Sequence, residues 1–379
     1  MATTRTLRGL LTRADGVSFA GKVTFSERVE AIESVSAGCD DHVVPGLIDL
    51  QVNGLGRYDV MGASAADMAA IARALPAEGV TAFLPTAITA PLEHLERVHD
   101  AVRQAAVFAE GQPGYAAIIG LHLEGPFISP ARLGVHPRFN LEPRGDPLER
   151  VLAMEQLKLI TLAPELVGAL DALGRLKARG VVGAIGHSDA TLEQAMEAVS
   201  AGARMFTHLF NAMRPIHHRA PGVALAGLLP SPAFAALIAD GTHVHPSMLR
   251  LAYNARGPQG LILTSDRVAL VSTDGQCATA VAGAARDASA RGAAAQRDDG
   301  TLAGSLTSLL DAVRLMVQTT GASVAQAVSM AAGNPARLLA LDQRGTIAVG
   351  ARADLLVLDR ELKLKTVFVA GREVGSPGA

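Results

Sequence analysis

The chain has 379 residues, 49% of them hydrophobic and 18% charged, with a formal net charge of −2. So large an apolar fraction with so little net charge excludes intrinsic disorder, and the near-neutral balance argues against a broad nucleic-acid or membrane-surface role. Two distant cysteines, Cys39 and Cys277, make no disulfide framework, so a reducing, cytoplasmic setting is expected.

The first stretch, MATTRTLRGLLTRADG, is interrupted at Arg8 and Arg13 and lacks the unbroken apolar core of a signal peptide. No later stretch reaches the ~20 apolar residues of a membrane span. Residues 1–44 read as short strands and turns. From Val43 to Asp266, eight apolar runs then alternate with helical stretches. The runs are VVPGLIDLQV (43–52), VTAFLPT (80–86), AAIIGLHLEG (116–125), LKLITLAPE (157–165), VVGAIGHSD (181–189), ARMFTHLF (203–210), AALIADGTH (235–243) and GLILTSD (260–266). Between them lie segments such as PLEHLERVHDAVRQAAVFA, whose Leu92, Leu95, Val98 and Val102 recur at helical spacing. Continuous rather than alternating apolarity marks strands buried on both faces, hence a parallel sheet. Eight such strands joined by crossover-length segments predict a closed (β/α)₈ barrel, a unit of roughly 250 residues. The Ala-rich run from Ala278 to Ala295 reads as a surface excursion. Two helices follow, one with Leu309, Leu310, Val313 and Met316 on its apolar face, the other over 323–340. The closing residues 345–379 are again strand and turn. Neither end can bury a core alone, so the two are expected to pair as a small β-sandwich (1–44 plus 345–379) beside a barrel of 45–344.

The ionisable residues of these runs collect at one end. Glu124 closes the third run, His187 lies at the end of the fifth, His208 of the sixth, His243 ends the seventh and Asp266 closes the eighth. Parallel barrel strands share one C-terminal mouth, where barrel active sites are built. One strand-end histidine is ordinarily structural, but desolvating a carboxylate and two imidazoles together is costly unless a cation compensates. Glu124, His187 and His208 are therefore expected to hold one divalent ion, Zn²⁺ by the donor types, with water in an open position. Such an ion lowers the pKa of its water and polarises a carbonyl. Asp266 is the candidate general base and acid. Asp274, in VSTDGQ, is its rival, although Asp274-Gly275 also reads as a turn.

The segments PGLIDLQVNG, GLHLEGPF, TLAPE, GHSDAT, THLFNAM, HRAPG, ADGTHVH and GTLAGS, in this order, resemble the N-acetylglucosamine-6-phosphate deacetylases of the amidohydrolase superfamily, as do the closing NPARLLAL and GARADLLVLD. The resemblance runs through nearly the whole chain. It implies hydrolysis of the acetamide of N-acetyl-D-glucosamine 6-phosphate to glucosamine 6-phosphate and acetate. It assigns the metal to Glu124, His187 and His208 and the acid/base to Asp266, as the strand ends do. It further implies that His136 faces the acetyl carbonyl with Val135 contributing backbone, and that Asn211, Ala212 and Arg219 hold the phosphate. Asp240, Gly241, Thr242 and His243 match a sugar-contacting segment, and Leu302, Ala303 and Gly304 another. The similar enzymes are dimers in which this arginine enters the neighbour's site, so a homodimer is implied.

Many amidohydrolases bind a second metal through His-x-His on the first strand, where this chain has Gln51-Val52-Asn53. An amide is a poorer ligand than imidazole, so a mononuclear site is expected with Gln51 and Asn53 as auxiliary groups. His122 shares the strand parity of Glu124, and a supporting role is expected of it. Glu165 closes the fourth run, with ligand-orienting and purely structural roles both open. The alternatives are the galacto epimer as substrate, another amide, or a catalytically dead scaffold. Other amidohydrolase chemistries want His-x-His and often a bridging lysine, and no lysine here follows a barrel strand. A scaffold has no need of the Glu–His–His–Asp set.

Overall fold

The computed structural model describes residues 3–36, 40–110, 112–273, 276–280, 288–291, 293–297 and 299–374. The eight apolar runs supply the eight parallel strands of a barrel. These are β1 (Leu47–Val52), β2 (Val80–Ile88), β3 (Leu121–Glu124), β4 (Leu157–Leu162), β5 (Val182–Ile185), β6 (Met205–Phe206), β7 (Phe234–Leu237) and β8 (Leu261–Leu263), adjacent in that order. Helices α1 (Ala65–Ala74), α2 (Leu92–Glu110), α3 (Gly145–Leu152), α4 (Ala169–Ala178), α5 (Leu192–Ala201), α6 (Val223–Leu228) and α7 (Pro246–Arg256) return the chain after each of the first seven strands. Reciprocal side chain–backbone caps start α1 at Ser64 with Asp67 and α5 at Thr191 with Gln194. Among the described residues, no helix is long and apolar enough to cross a membrane.

Alternate residues of each strand face opposite ways. Ile48, Leu50, Leu84, Leu159, Ala184, Phe234 and Ile262 fill the barrel, while Phe83, Leu123, Ile160, Ile185 and Leu237 pack outward on the helices. The seam between β8 and β1 is closed by the buried Asp49, whose Oδ1 accepts from Thr264 Oγ1 at 3.1 Å and from the Ser265 amide at 3.1 Å. Burial outweighs these donors and raises the Asp49 pKa above the usual carboxylate range. A parallel bridge between Val52 and Arg267 continues the seam towards the mouth.

Between β8 and the next helix, the chain leaves the barrel as antiparallel strands Ala269–Thr273, Gln276–Ala280, Ala288–Arg291, Ala294–Arg297 and Leu302–Ser305. The described parts of the Ala-rich run lie within this excursion; residues 281–287 and 292, with Asp274 and Gly275, lie outside the described residues. α8 (Leu309–Thr320) follows. The single helix expected over 323–340 is two, α9 (Val324–Ala331) and α10 (Gly333–Leu338), broken at Ala332 with φ −136° and ψ −63°. Pro335 explains the break, because its ring would clash with the carbonyl four residues back in a continuous helix. From α10, Ala336 and Leu338 join the cluster that fills the barrel.

Both chain ends form one seven-stranded sheet. Its order is Arg372–Val374, Leu364–Val369, Leu355–Leu358, His42–Pro45, Arg5–Thr12, Ser18–Phe25, Val29–Ser34. Phe25 and Phe368 stand on strands four places apart in that order, yet their rings meet edge to face at 5.1 Å. The sheet therefore curls over on itself around Leu11, Val23, Val43, Leu355 and these two rings. Phe25 is fully buried. Truncating it to alanine is expected to cost about 3–5 kcal/mol, read as a lower midpoint in denaturant unfolding.

Candidate active site

Glu124 is the last residue of β3 and points into the barrel mouth by strand parity. His187 and His208 follow β5 and β6 at positions whose parity would point them outward, one residue after Gly186 and Thr207. Their backbones leave the extended region, with φ +47° at His187 and +29° at His208, and the rings come to the mouth. Asp266, beyond β8, also has positive φ, +50°. Left-handed backbone at a non-glycine residue costs on the order of 1–3 kcal/mol and persists only where the surroundings enforce it.

Three of these groups meet, and Asp266 lines the same cavity. Glu124 Oε1 lies 3.0 Å from His187 Nε2 and 2.7 Å from His208 Nε2, and the two nitrogens are 3.2 Å apart. Both rings and the carboxylate are almost fully buried. His187 Nδ1 sits 2.8 Å from the Arg132 carbonyl oxygen. A carbonyl only accepts, so that nitrogen carries the proton, and in the neutral ring Nε2 holds the lone pair that a cation between it and Glu124 would take. Two imidazole nitrogens and a carboxylate oxygen converging inside 3.2 Å, one with a lone pair committed inward, fit a divalent cation bound through N and O donors.

His136 belongs to this cluster more closely than its place in a loop suggests. Ligand-capable atoms of Glu124, His136 and His187 all lie within 4.8 Å of one another. The centroids of the His136 and His187 rings are 4.3 Å apart. Its tautomer is the opposite one. The Thr89 amide, which can only donate, points at His136 Nδ1 at 3.4 Å, and the Thr89 hydroxyl is 2.9 Å from the same nitrogen. His136 Nε2 therefore carries the proton, 3.7 Å from Glu124 Oε2. Burial first, then the neighbouring His187, lower its pKa to about 4, so the ring is a neutral donor rather than a cation.

Asp266 is held by Asn53, whose Nδ2 donates to Oδ1 at 2.7 Å. Burial, then the charge of Glu124, push its carboxyl up to about 7. The Asn53 Oδ1 and Gln51 Nε2 atoms are buried without a hydrogen-bond partner. His122 lies one layer deeper, its Nδ1 donating to the Leu50 carbonyl at 3.0 Å and its Nε2 2.9 Å from Thr161 Oγ1. Burial lowers its pKa to about 4. It belongs to a polar layer with Thr161 and Thr207 that floors the site.

A cavity of about 230 Å³ opens over this cluster. Among the expected substrate groups, Val135, His136, Asn211, Ala212, His243, Leu302, Ala303 and Gly304 line it; Asp240, Gly241, Thr242 and Arg219 do not. The Asp240 carboxylate is buried and engaged by protein. It accepts from the amides of Thr242 and His243, from His243 Nδ1 at 2.7 Å and from Ser305 Oγ at 2.9 Å. Its pKa stays below the ordinary carboxylate value because these donors, His243 foremost, outweigh its burial. Asp240 thus orients His243 rather than meeting the cavity itself. The D-x-x-H spacing was the signal that could have shown this, since it lets one carboxylate receive both the amide and the ring of the histidine. Arg219 is exposed on the loop after β6 beside His218, 2.9 Å from its Nε2.

A barrel carrying carboxylate and imidazole groups at its strand ends defines a class of metal-dependent hydrolases, and residues 42–374 match the amidohydrolase family. The chain belongs to that family. It is 39% identical to the N-acetylglucosamine-6-phosphate deacetylase of Bos taurus over 376 residues, 93% of this chain and 88% of the relative. With the enzyme of that name from Bacillus subtilis it shares 33% over 350 residues, 89% of this chain and 86% of the relative. A solved structure of a mutant N-acetyl-D-glucosamine-6-phosphate deacetylase from Mycobacterium smegmatis, in complex with N-acetyl-D-glucosamine-6-phosphate, is similar with TM-score 0.86 and 32% identity. That likeness covers 98% of this chain and 99% of the other.

Proposed function

We propose that the protein hydrolyses the N-acetyl group of N-acetyl-D-glucosamine 6-phosphate, releasing glucosamine 6-phosphate and acetate. The observation that carries this is the convergence of Glu124, His187 and His208 beneath a cavity also lined by His136 and Asp266, in a chain so similar to deacetylases of that name. Glu124, His187 and His208 hold one divalent cation, Zn²⁺ by the mixture of imidazole and carboxylate donors. When bound, that cation polarises the acetamide carbonyl and makes a water in the site more acidic.

The chain's own groups do the rest. His136, protonated at Nε2, donates to the acetyl oxygen as negative charge develops there. Asp266, steadied at Oδ1 by Asn53, takes the proton of the attacking water as the C–O bond forms. It then returns that proton to the sugar nitrogen as the C–N bond breaks. Gln51, whose Nε2 is buried without a hydrogen-bond partner, is an auxiliary group. The backbone at Val135, the ring of His243 and the segment of Leu302, Ala303 and Gly304 shape the sugar subsite. Asn211 and Ala212 meet the phosphate.

No lysine or arginine lines the described cavity, and a dianionic phosphate wants a guanidinium. Arg219 of a second copy supplies it in a homodimer. Arg219→Ala is accordingly expected to raise KM for the phosphorylated sugar roughly 10–100-fold, the scale of a lost charge-assisted hydrogen bond, and to leave the unphosphorylated sugar unaffected. A phosphorylated substrate fits a cytoplasmic enzyme.

The test is acetate release from phosphorylated and unphosphorylated N-acetylhexosamines of both gluco and galacto configuration, with and without chelator. Chelator-sensitive release from the phosphorylated gluco sugar is expected. Preference for the galacto epimer would reassign the substrate, and no release from any of them would refute the proposal.

A further inference from the structure

Metal ligand and carbonyl-facing loop are tied together in an unusually direct way. The chain from Ser129 to His136 leaves β3 and returns His136 to the site. Its amide at Ser129 donates to the His187 carbonyl at 2.9 Å, and its carbonyl at Arg132 accepts from His187 Nδ1 at 2.8 Å. His187 is thus bonded to this loop from both its backbone and its ring. Two residues on, Asp189 completes a third tie. Arg132 Nε donates to Asp189 Oδ1 at 2.8 Å and its Nη2 lies 2.7 Å from the same oxygen. Arg214 Nη2 is 3.5 Å from the other oxygen.

The turn carrying Asp189 is itself fastened from below. Glu165 Oε2 accepts from Ser188 Oγ at 2.8 Å, and Oε1 from the Asp189 amide at 2.6 Å. Ser188 also bridges backbone to backbone with the segment at Ala212 and Arg214. This scaffold holds His187 in its left-handed backbone conformation.

We infer that Arg132 and Asp189 are positioning residues: their ion pair, anchored by Glu165, locks the Arg132 carbonyl onto His187 Nδ1 and makes the His187 ligand and the His136 loop one rigid unit. The pair touches neither the substrate cavity nor Glu124. It acts by keeping the ring of His187 in one tautomer and orientation, and by setting where His136 stands relative to the bound cation. The inference rests on the metal reading of Glu124, His187 and His208.

The experiment uses Arg132→Ala, Asp189→Ala and the double variant of the full chain, with Zn²⁺ alone as the probe in competition with a chromophoric chelator. Arg132→Ala keeps the backbone carbonyl and removes only its anchor. Loss of groups that orient a metal-binding histidine typically costs 10–100-fold in affinity, and the lower end, about 10-fold, is expected for each single variant. The double variant should be no weaker than the weaker single, because the two act as one unit. In steady-state kinetics at saturating Zn²⁺, kcat should fall with KM nearly unchanged, and Arg132→Lys should recover part of both losses. Zn²⁺ affinity within twofold of wild type in both single variants would overturn the inference, as would effects that add independently. A lowered melting temperature with unmoved affinity would mean a purely structural pair and would overturn it too. Failure of the wild type itself to bind Zn²⁺ would instead bring down the metal reading, and this inference with it.

Discussion

Replacing Asp266 by asparagine is expected to lower kcat by roughly 10²–10⁴-fold, the usual scale of a positioned general acid–base, with metal content unchanged. Asparagine keeps the shape and can still accept from Asn53, which holds Asp266 Oδ1 at 2.7 Å. It also tolerates left-handed backbone, which Asp266 adopts at φ +50°. The loss would therefore be of proton transfer, not of fold. The pH profile supplies an independent check. Burial and the Glu124 charge hold the Asp266 carboxyl up at about 7. A base must be ionised, so kcat/KM falls as pH drops through that pKa. A cation beside Glu124 favours the ionised form and moves the limb downward, so the wild-type acid limb is expected at or below about 7, and the variant should lack it. Retained activity with an unchanged limb would transfer the role to Asp274.

Substituting Glu124 by glutamine is expected to empty the site of its ion and to reduce acetate release by at least roughly 10³-fold, with no recovery in excess metal. The carboxylate is the single anionic member of the trio, and both imidazole Nε2 atoms converge on its Oε1. A neutral amide compensates a divalent charge poorly, and burying that charge without compensation is costly. Elemental analysis of the purified variant measures the occupancy directly. For the wild type, chelation should leave a folded protein, since the apolar side chains that fill the barrel pack without the ion. Re-added ion should then raise the melting temperature by mass action. A variant that kept a full complement of ion would remove Glu124 from the ligand set.

The barrel was legible because strands buried on both faces must be apolar throughout, and eight such runs stand out between helices. Legible too was Glu124 as an inward group, since it keeps the parity of its strand, whereas Asp266 stands beyond its strand on left-handed backbone and is legible only by position. His187 and His208 were found by position at strand ends, although parity alone would have turned them away. Left-handed backbone reverses their direction, and nothing local in GHS or THL encodes it. The break at Ala332 was readable in principle from Pro335. Asp240 was placed at the sugar by resemblance; the structure gives its carboxylate to His243 and Ser305.

Residue type and periodicity, properties of the chain taken by itself, determined the strand count, the shared mouth and the donor chemistry gathered there. Tertiary structure alone decided which ring nitrogen carries a proton. The Arg132 carbonyl sets His187 one way and the Thr89 amide sets His136 the other. The physical reason is that a tautomer, a distance of 3.2 Å between two nitrogens or a loop locked by an ion pair depends on partners tens of residues away. Periodicity reports only which face a side chain takes, whereas hydrogen bonding across the barrel mouth fixes what that side chain can do.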